Sequence, residues 1–184
     1  MQIPFGEWLP DQPEHGKKGA NVATNVYYAL NSYKRFPSLT SYSSNNIGAD
    51  ARGGGSFRDN AGNVFNFVAK NTDIYQLASG AFTSRKGSLT GTNTDYWTFT
   101  QFGNYIIASN GVDAPQYYLM GTSTNFANLS AIQTAGTVPT FRVSGVIRDF
   151  LVTGNQPTNQ NRIQWSGIND ITTWLSGTKQ ADQQ

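Results

Sequence analysis

The sequence predicts an all-β fold: a propeller-like array of antiparallel hairpin blades that follows an extended N-terminal arm. Strand-like runs recur in pairs joined by a polar turn, and the second runs end at Leu77, Leu119 and Trp165, 42 and then 46 residues apart. A hairpin period of about 40–50 residues is typical of propellers and similar arrays. Abundant glycine, asparagine and threonine, with only 13% charged residues, also favour short strands and turns. The three pairs of runs are 64–68 with 73–77, 105–109 with 115–119, and 150–154 with 161–165.

The first region, residues 1–50, is predicted to be an extended arm because it holds four of the seven prolines. Segment 20–30 fits an amphipathic helix or a strand, and its asparagines and β-branched residues favour extended structure. Segment 41–55 is predicted to be a polar, glycine-rich loop. The arm's large apolar residues either close a sheet of the same domain or dock on another subunit. The predicted partner-docking residues are Ile3, Phe5, Trp8, Leu9, Lys34, Arg35 and Phe36.

The second region, residues 51–184, is predicted to contain three blades at about 51–91, 92–135 and 136–184. In the first blade, a turn at 60–63 leads to strand 64–69, and a turn at 71–73 leads to strand 74–78. Residues 81–83 are expected to form its outer strand. Each linker after a blade carries an apolar residue, which is expected to pack on the outside of that blade.

The second blade begins with the alternating run 96–102, and Gly103-Asn104 predicts a hairpin turn into strand 105–109. The third blade begins with run 140–147, turns at 148–149 and continues through strands 150–153 and 162–166. No further strand is expected in 179–184. Three blades do not close a propeller, which usually has four to eight. We therefore expect either an array completed by other chains or a truncated propeller.

Composition and charge exclude several classes of site. Without cysteine there are no disulfides or thiolate metal sites, and the single histidine, His15, is interpreted as a solvated loop residue. No apolar run approaches about 18 residues, so no membrane span is predicted, and the N-terminus does not resemble a secretory signal.

The net charge is only +2, but residues 17–86 are more basic than the rest of the chain. Such a stretch suits weak contact with DNA, because strong phosphate binding would impede sliding. Docking on acidic protein surfaces is slightly favoured over DNA contact, and neither explains the charge much better than a solvated surface does. The predicted DNA-facing residues are Lys17, Lys18, Arg85 and Lys86.

No catalytic, cofactor or metal site is predicted. Asp149 and Asp170 lie near strand ends and are the best candidates for a glycosidase pair, but aspartate is favoured in turns for its local hydrogen bonds. Gly53–Ser56 lacks the Lys-Ser/Thr of a phosphate-binding loop. The asparagine-rich turns lack the spaced acidic residues of a calcium loop. We therefore expect a protein that is not an enzyme.

Four segments carry a resemblance to a family of bacteriophage virion proteins, the tail hub or nozzle type, also described as packaged-DNA stabilisation proteins. The most specific is the last, which combines an arginine, an aromatic residue and a polar loop in fixed order. The segments are Ile3–Asp11, Asn31–Leu39, Phe102–Tyr117 and Asn161–Asp170.

This resemblance implies a structural role in the phage tail, with assembly in the host cytoplasm. Such proteins form a ring, commonly of six copies, below the portal and its adaptor. The ring holds fibres or spikes, retains the packaged genome and makes transient, non-specific contact with double-stranded DNA during ejection. The alternative is a propeller module that binds host glycans through exposed aromatic residues such as Trp97, Trp165 and Trp174. Burial of these tryptophans would favour the structural role.

Overall fold

The computed structural model describes residues 6–11, 15, 19–20, 22–29 and 32–184. The chain divides into two compact units, Met1–Ser41 and Tyr42–Gln184. Residues 42–50, which the sequence assigned to the arm, therefore belong to the second unit. There the Ser44 N–H donates to the carbonyl of Gly80, and the side chain of Asn45 bonds the backbone of Phe82.

The first unit contains a short hairpin, in which β1 (Val26–Ala29) pairs with β2 (Ser32–Arg35). Trp8 and Ala20 form an isolated parallel bridge, and the Tyr33 hydroxyl donates to the carbonyl of Gly6 at 2.7 Å. The described part of the arm is thus locally hydrogen-bonded rather than simply extended. The preference for extended structure within segment 20–30 agrees with β1.

The second unit consists of three four-stranded antiparallel sheets, each built from four consecutive strands. The first sheet contains β3 (Gly53–Arg58), β4 (Val64–Ala69), β5 (Ile74–Ala78) and β6 (Ala81–Lys86). The middle sheet contains β7 (Thr98–Phe102), β8 (Tyr105–Ser109), β9 (Gln116–Leu119) and β10 (Ala127–Asn128). The third sheet contains β11 (Val143–Ile147), β12 (Phe150–Gly154), β13 (Gln164–Trp165) and β14 (Asp182–Gln183).

These sheets confirm the predicted all-β class and the three hairpin pairs. The only helical element in the described residues is a 3₁₀ turn at Leu129–Ile132. Two expectations about the strands were wrong. Gly53–Gly55 begin β3 instead of ending a loop, and 179–184 contains a strand, β14, which completes the third sheet by pairing with β13.

Two apolar cores hold the second unit together, one between each pair of neighbouring sheets. The first core joins the first and middle sheets, and the second joins the middle and third sheets. One residue of each linker, Leu89, Phe126 and Trp174, is buried in these cores. The expectation that linker residues pack on the outside of each blade was therefore wrong for these three, which fill the space between sheets.

Candidate functional site

The three sheets repeat one arrangement, which defines equivalent positions. Their first strands begin at Gly53, Thr98 and Val143, at intervals of 45 residues. In the hairpins these residues pair with Ala69, Ser109 and Gly154 respectively. β7 lies beside both β3 and β11, so the sheets are stacked with their first strands adjacent. By this register, Phe67, Ile107 and Val152 are equivalent to one another.

Aromatic side chains form most of the contact between the first and middle sheets. The Phe67 ring lies 5.0 Å from the rings of Tyr118 and Phe126, in edge-to-face geometry. The indole N–H of Trp97 donates to the carbonyl of Lys70 at 2.9 Å. Gly53 is required at this contact, because a Cβ there would collide with the carbonyl oxygen of Trp97. Aromatic edge packing and close backbone approach therefore fix the two sheets against each other.

Hydroxyl groups add specificity to the contact between the middle and third sheets. The Thr98 hydroxyl donates to the carbonyl of Arg142 at 2.8 Å, and the Thr100 and Ser144 hydroxyls lie 2.8 Å apart. The Arg142 guanidinium reaches the buried carboxylate of Asp95 at 3.4 Å. Hydrogen bonds from Thr92, and then the guanidinium, lower the pKa of Asp95. This aspartate therefore stays ionised and holds the two sheets in register.

The middle sheet has both faces covered. Ile106 and Ala108 enter the core shared with the first sheet, whereas Ile107 enters the core shared with the third sheet. All three side chains are fully buried. Successive residues of a strand point to opposite faces, so β8 is apolar throughout because each face meets another sheet.

The third sheet has one covered face and one free face. Leu151 and Thr153 are buried against the middle sheet. The opposite face, which we call the free face of the third sheet, comprises Val143, Gly145, Ile147, Val152, Ile163 and the half-buried Trp165, which pairs with Val152. A shallow, largely apolar groove of about 290 Å³ runs along it. Val143 is 51% exposed, Ile147 62% and Ile163 50%, so this face is unusually apolar for a surface in contact with water.

The first sheet also has a free face, on its side away from the middle sheet. Its apolar residues point away from the core shared with the middle sheet: Val64 is exposed, and Val68, Tyr75, Leu77 and Phe82 are half-buried. The register places polar residues on the same face, namely Ser56, Arg58, Asn66 and Ser84. Leu77 pairs with Phe82 across β5 and β6. Tyr118 and Phe126 form the equivalent cross-strand pair in the middle sheet. In the described residues of 42–184, no sheet packs on this face.

Five of the seven predicted docking residues lie in the described part of the first unit. Trp8 is 55% exposed and Phe36 is 62% exposed, while Lys34 and Arg35 are exposed residues of β2. Leu9 is half-buried, and its N–H donates to the carbonyl of Ala20. Ile3 and Phe5 lie outside the described residues.

Of the predicted DNA-facing residues, Arg85 and Lys86 lie on β6, the edge strand farthest from the first strand of its sheet. They line a polar cavity of about 310 Å³ with Asn125. The Arg85 guanidinium donates to the side-chain oxygen of Gln76 at 2.9 Å, which leaves it half-buried. Lys17 and Lys18 lie outside the described residues.

Asp170, the best catalytic candidate with Asp149, has both carboxylate oxygens engaged. The backbone N–H and hydroxyl of Thr172 donate to one oxygen, and Thr173 and Lys179 donate to the other. Burial raises the pKa of Asp170, but the Lys179 ammonium and the Thr172 groups outweigh it and lower that pKa strongly. A general acid requires a raised pKa. This geometry supports the alternative in which Asp170 stabilises its own loop.

The tryptophans named as glycan-stacking candidates are mostly internal. Trp97 is 5% exposed and Trp174 is 3% exposed. Trp165 is half-buried, with its indole N–H donating to the carbonyl of Gln180 at 2.8 Å. A cleft of about 340 Å³ lies beside Trp174, with Arg162 and Asp182 in its lining. Because Trp174 is buried, its ring face is not available for a sugar to stack on.

The two free faces were not predicted from the sequence as candidate functional surfaces. The signal was present in β12, where Phe150 and Val152 alternate with Leu151 and Thr153, so that neither face is strongly polar. A strand with one solvated face usually alternates apolar and polar residues. The missing alternation is typical of a sheet that is covered on both faces, as the middle sheet is.

In the part of the chain that the structure describes, no group of three or more acidic or histidine side chains is placed to hold a metal ion. Nor does any helix there have the length and apolar character needed to cross a membrane. A scan against protein-family models matches no family, and a search of curated proteins finds no matching relative. The resemblance to phage tail proteins therefore stays a prediction.

Proposed function

We propose that this chain is a structural component of a phage tail, of the hub or nozzle type, that helps to retain the packaged genome and to form the ejection channel. The observation that carries the proposal is the series of equivalent sheets with apolar faces at both ends. A chain built this way is suited to assembly, because each face is shaped to receive another sheet. The segments that resemble the phage family supply the identity of the assembly.

The buried and half-buried carboxylates of the second unit support a mechanical role. Asp170 and Asp95 are ionised and committed to hydrogen bonds that hold loops and sheets together. The same is true of Asp113: burial raises its pKa, but hydrogen bonds from Thr90 and Asn110 outweigh that effect and lower it. These carboxylates stabilise the array, and a ring that guides DNA needs such rigidity more than it needs a reactive group.

The basic residues support weak contact with a polyanion or with acidic neighbours. Lys34 and Arg35 are exposed on β2, and Lys86 is half-buried beside Arg85 on β6. A few dispersed cations give weak, salt-sensitive attraction to DNA, which allows DNA to slide. In the proposed particle these residues face the genome or the portal and adaptor.

The glycan-binding alternative rests on the cleft beside Arg162 and Asp182 and on the half-buried Trp165. Burial of Trp97 and Trp174 removes two of the three aromatic platforms on which that function would depend. The structural role is therefore the better supported of the two.

The decisive test is imaging of particles from the phage that encodes this chain, with and without its gene. We expect density for the protein in a ring below the portal, and heads that lose their DNA when the gene is deleted. Full, stable and infectious particles made without the protein would overturn the proposal. Specific retention on a glycan array would instead support the alternative.

A further inference from the structure

We propose that the free face of the third sheet binds the free face of the first sheet of a second copy of this chain, head to tail. The inference rests on the proposed assembly role and deepens it by naming the contact surface and its occupant. Its starting point is that two interfaces of this type already exist within the chain. In both, one face of a sheet receives the opposite face of the next sheet.

The equivalent positions identify which residues would meet. In the contact between the first and middle sheets, Phe67 packs on Tyr118 and Phe126. Val152 is equivalent to Phe67. The residues of the first sheet equivalent to Tyr118 and Phe126 are Leu77 and Phe82. The proposed contact therefore places Val152 of one copy against Leu77 and Phe82 of the other.

The free face of the third sheet also has room for a neighbouring first strand. Gly55 and Thr100 lie at the centre of the first strands that are covered, and their equivalent in the third sheet is Gly145. A Cβ added at Gly145 would meet nothing within 4 Å. The groove around Gly145 is thus open at the place where the other two sheets receive a neighbouring first strand.

Both free faces have the chemistry that the contact needs. The face of the third sheet presents Val143, Ile147 and Ile163, each at least half exposed. The face of the first sheet presents Val64, which is 51% exposed, beside Leu77 and Phe82, which are half-buried. A head-to-tail contact between unlike faces forms a ring when the rotation closes. Two copies would supply six sheets, within the usual four to eight blades.

The test measures the mass of the full chain by sedimentation velocity over a series of concentrations. We expect wild type to form a species of twice the 20.1 kDa chain mass. Val152→Lys or Leu77→Glu alone should weaken self-association about 100-fold, as loss of a central apolar contact does. The matched control is Val112→Lys, since Val112 is 45% exposed on a loop outside both faces, and it should leave association unchanged.

Mixing the Val152→Lys and Leu77→Glu variants sharpens the test. In a mixed pair, the introduced ammonium group of one copy would face the introduced carboxylate of the other, while the second contact would be wild type on both sides. We therefore expect the mixture to regain the paired species, which a contact between two identical faces would not do. Circular dichroism and thermal unfolding of each variant establish that it is folded. Ile147→Lys, at the most exposed position of the face, replaces Val152→Lys if that variant unfolds.

A chain that stays at 20.1 kDa at every concentration would overturn the inference. So would a paired species that survives both substitutions, or variants whose mixture does not regain association. None of these results would bear on where the protein lies in a particle. Failure of this inference and failure of the proposed function are therefore distinguishable.

Discussion

The middle and third sheets have similar strands but different surroundings. Ile107 in the middle sheet is fully buried between two sheets, whereas its equivalent, Val152, lies on a face that no sheet formed by residues 42–184 covers. β8 and β12 both carry apolar residues on their two faces. The difference shows that burial of a strand in this protein is decided by the number of neighbouring sheets.

Ile107→Ala should destabilise the protein by about 2–5 kcal/mol, because it removes a fully buried side chain and leaves a cavity in the second core. Val152→Ala at the equivalent position should cost less than about 1 kcal/mol, because solvent can fill the space that it leaves. Urea unfolding at low protein concentration, followed by circular dichroism, measures both. Equal losses would show that the two faces are covered alike, which contradicts the comparison.

Asp170→Asn should lower the free energy of unfolding by about 1.5–3 kcal/mol, because it weakens the charge-assisted hydrogen bonds that Lys179 and Thr172 donate to Asp170. The folded protein lowers the pKa of Asp170 below its ordinary value of 3.8. The carboxylate therefore contributes its stability above about pH 4, and this contribution is lost as the pH falls further.

Unfolding measured between pH 7 and pH 3 checks this prediction. The difference between wild type and Asp170→Asn should be constant near neutral pH and shrink below pH 4. Asp149→Asn is the matched control, since Asp149 is exposed and its replacement should change stability by less than about 0.5 kcal/mol. A difference that grows on acidification would contradict the assigned role.

Gly53→Ala should cost about 1–3 kcal/mol, because the new methyl group would overlap the Trp97 carbonyl between the first and middle sheets. Gly145→Ala should be neutral or stabilising by up to about 1 kcal/mol, because the methyl group enters open space and alanine loses less backbone entropy on folding. Thermal unfolding of both variants makes the comparison. A destabilising Gly145→Ala would mean that something already fills the groove of the third sheet.

Much of the fold was predictable because its signals are local. Runs such as 64–69, 105–109 and 150–153 are apolar, are bounded by turn residues and match β4, β8 and β12 closely. Gly103-Asn104 and Arg148-Asp149 also formed the expected hairpin turns. These elements depend on residues within a few positions of one another, so the pattern alone indicates them.

The wrong predictions involve contacts between distant residues. Gly53–Gly55 looked like a loop, yet they form a strand because their backbone pairs with β4. At Gly53 the backbone of Trp97 approaches so closely that a side chain would not fit. β14 has no apolar pattern and exists because its backbone pairs with β13. The predicted functional residues, such as Lys34 and Phe36, stay predictions. The apolar pattern of β12 is visible in the sequence, but which of its faces is left uncovered is recognisable only after the sheets are stacked.

The sequence by itself determined that the chain forms β-hairpins in three repeating groups, because alternation and turn residues act over short distances. It also determined the apolar character of both faces of β12. Only the tertiary structure decided which of those faces is covered, which tryptophans are internal and which aspartates hold loops. Those outcomes depend on which sheet is adjacent, and adjacency is set by the packing of strands far apart in the chain.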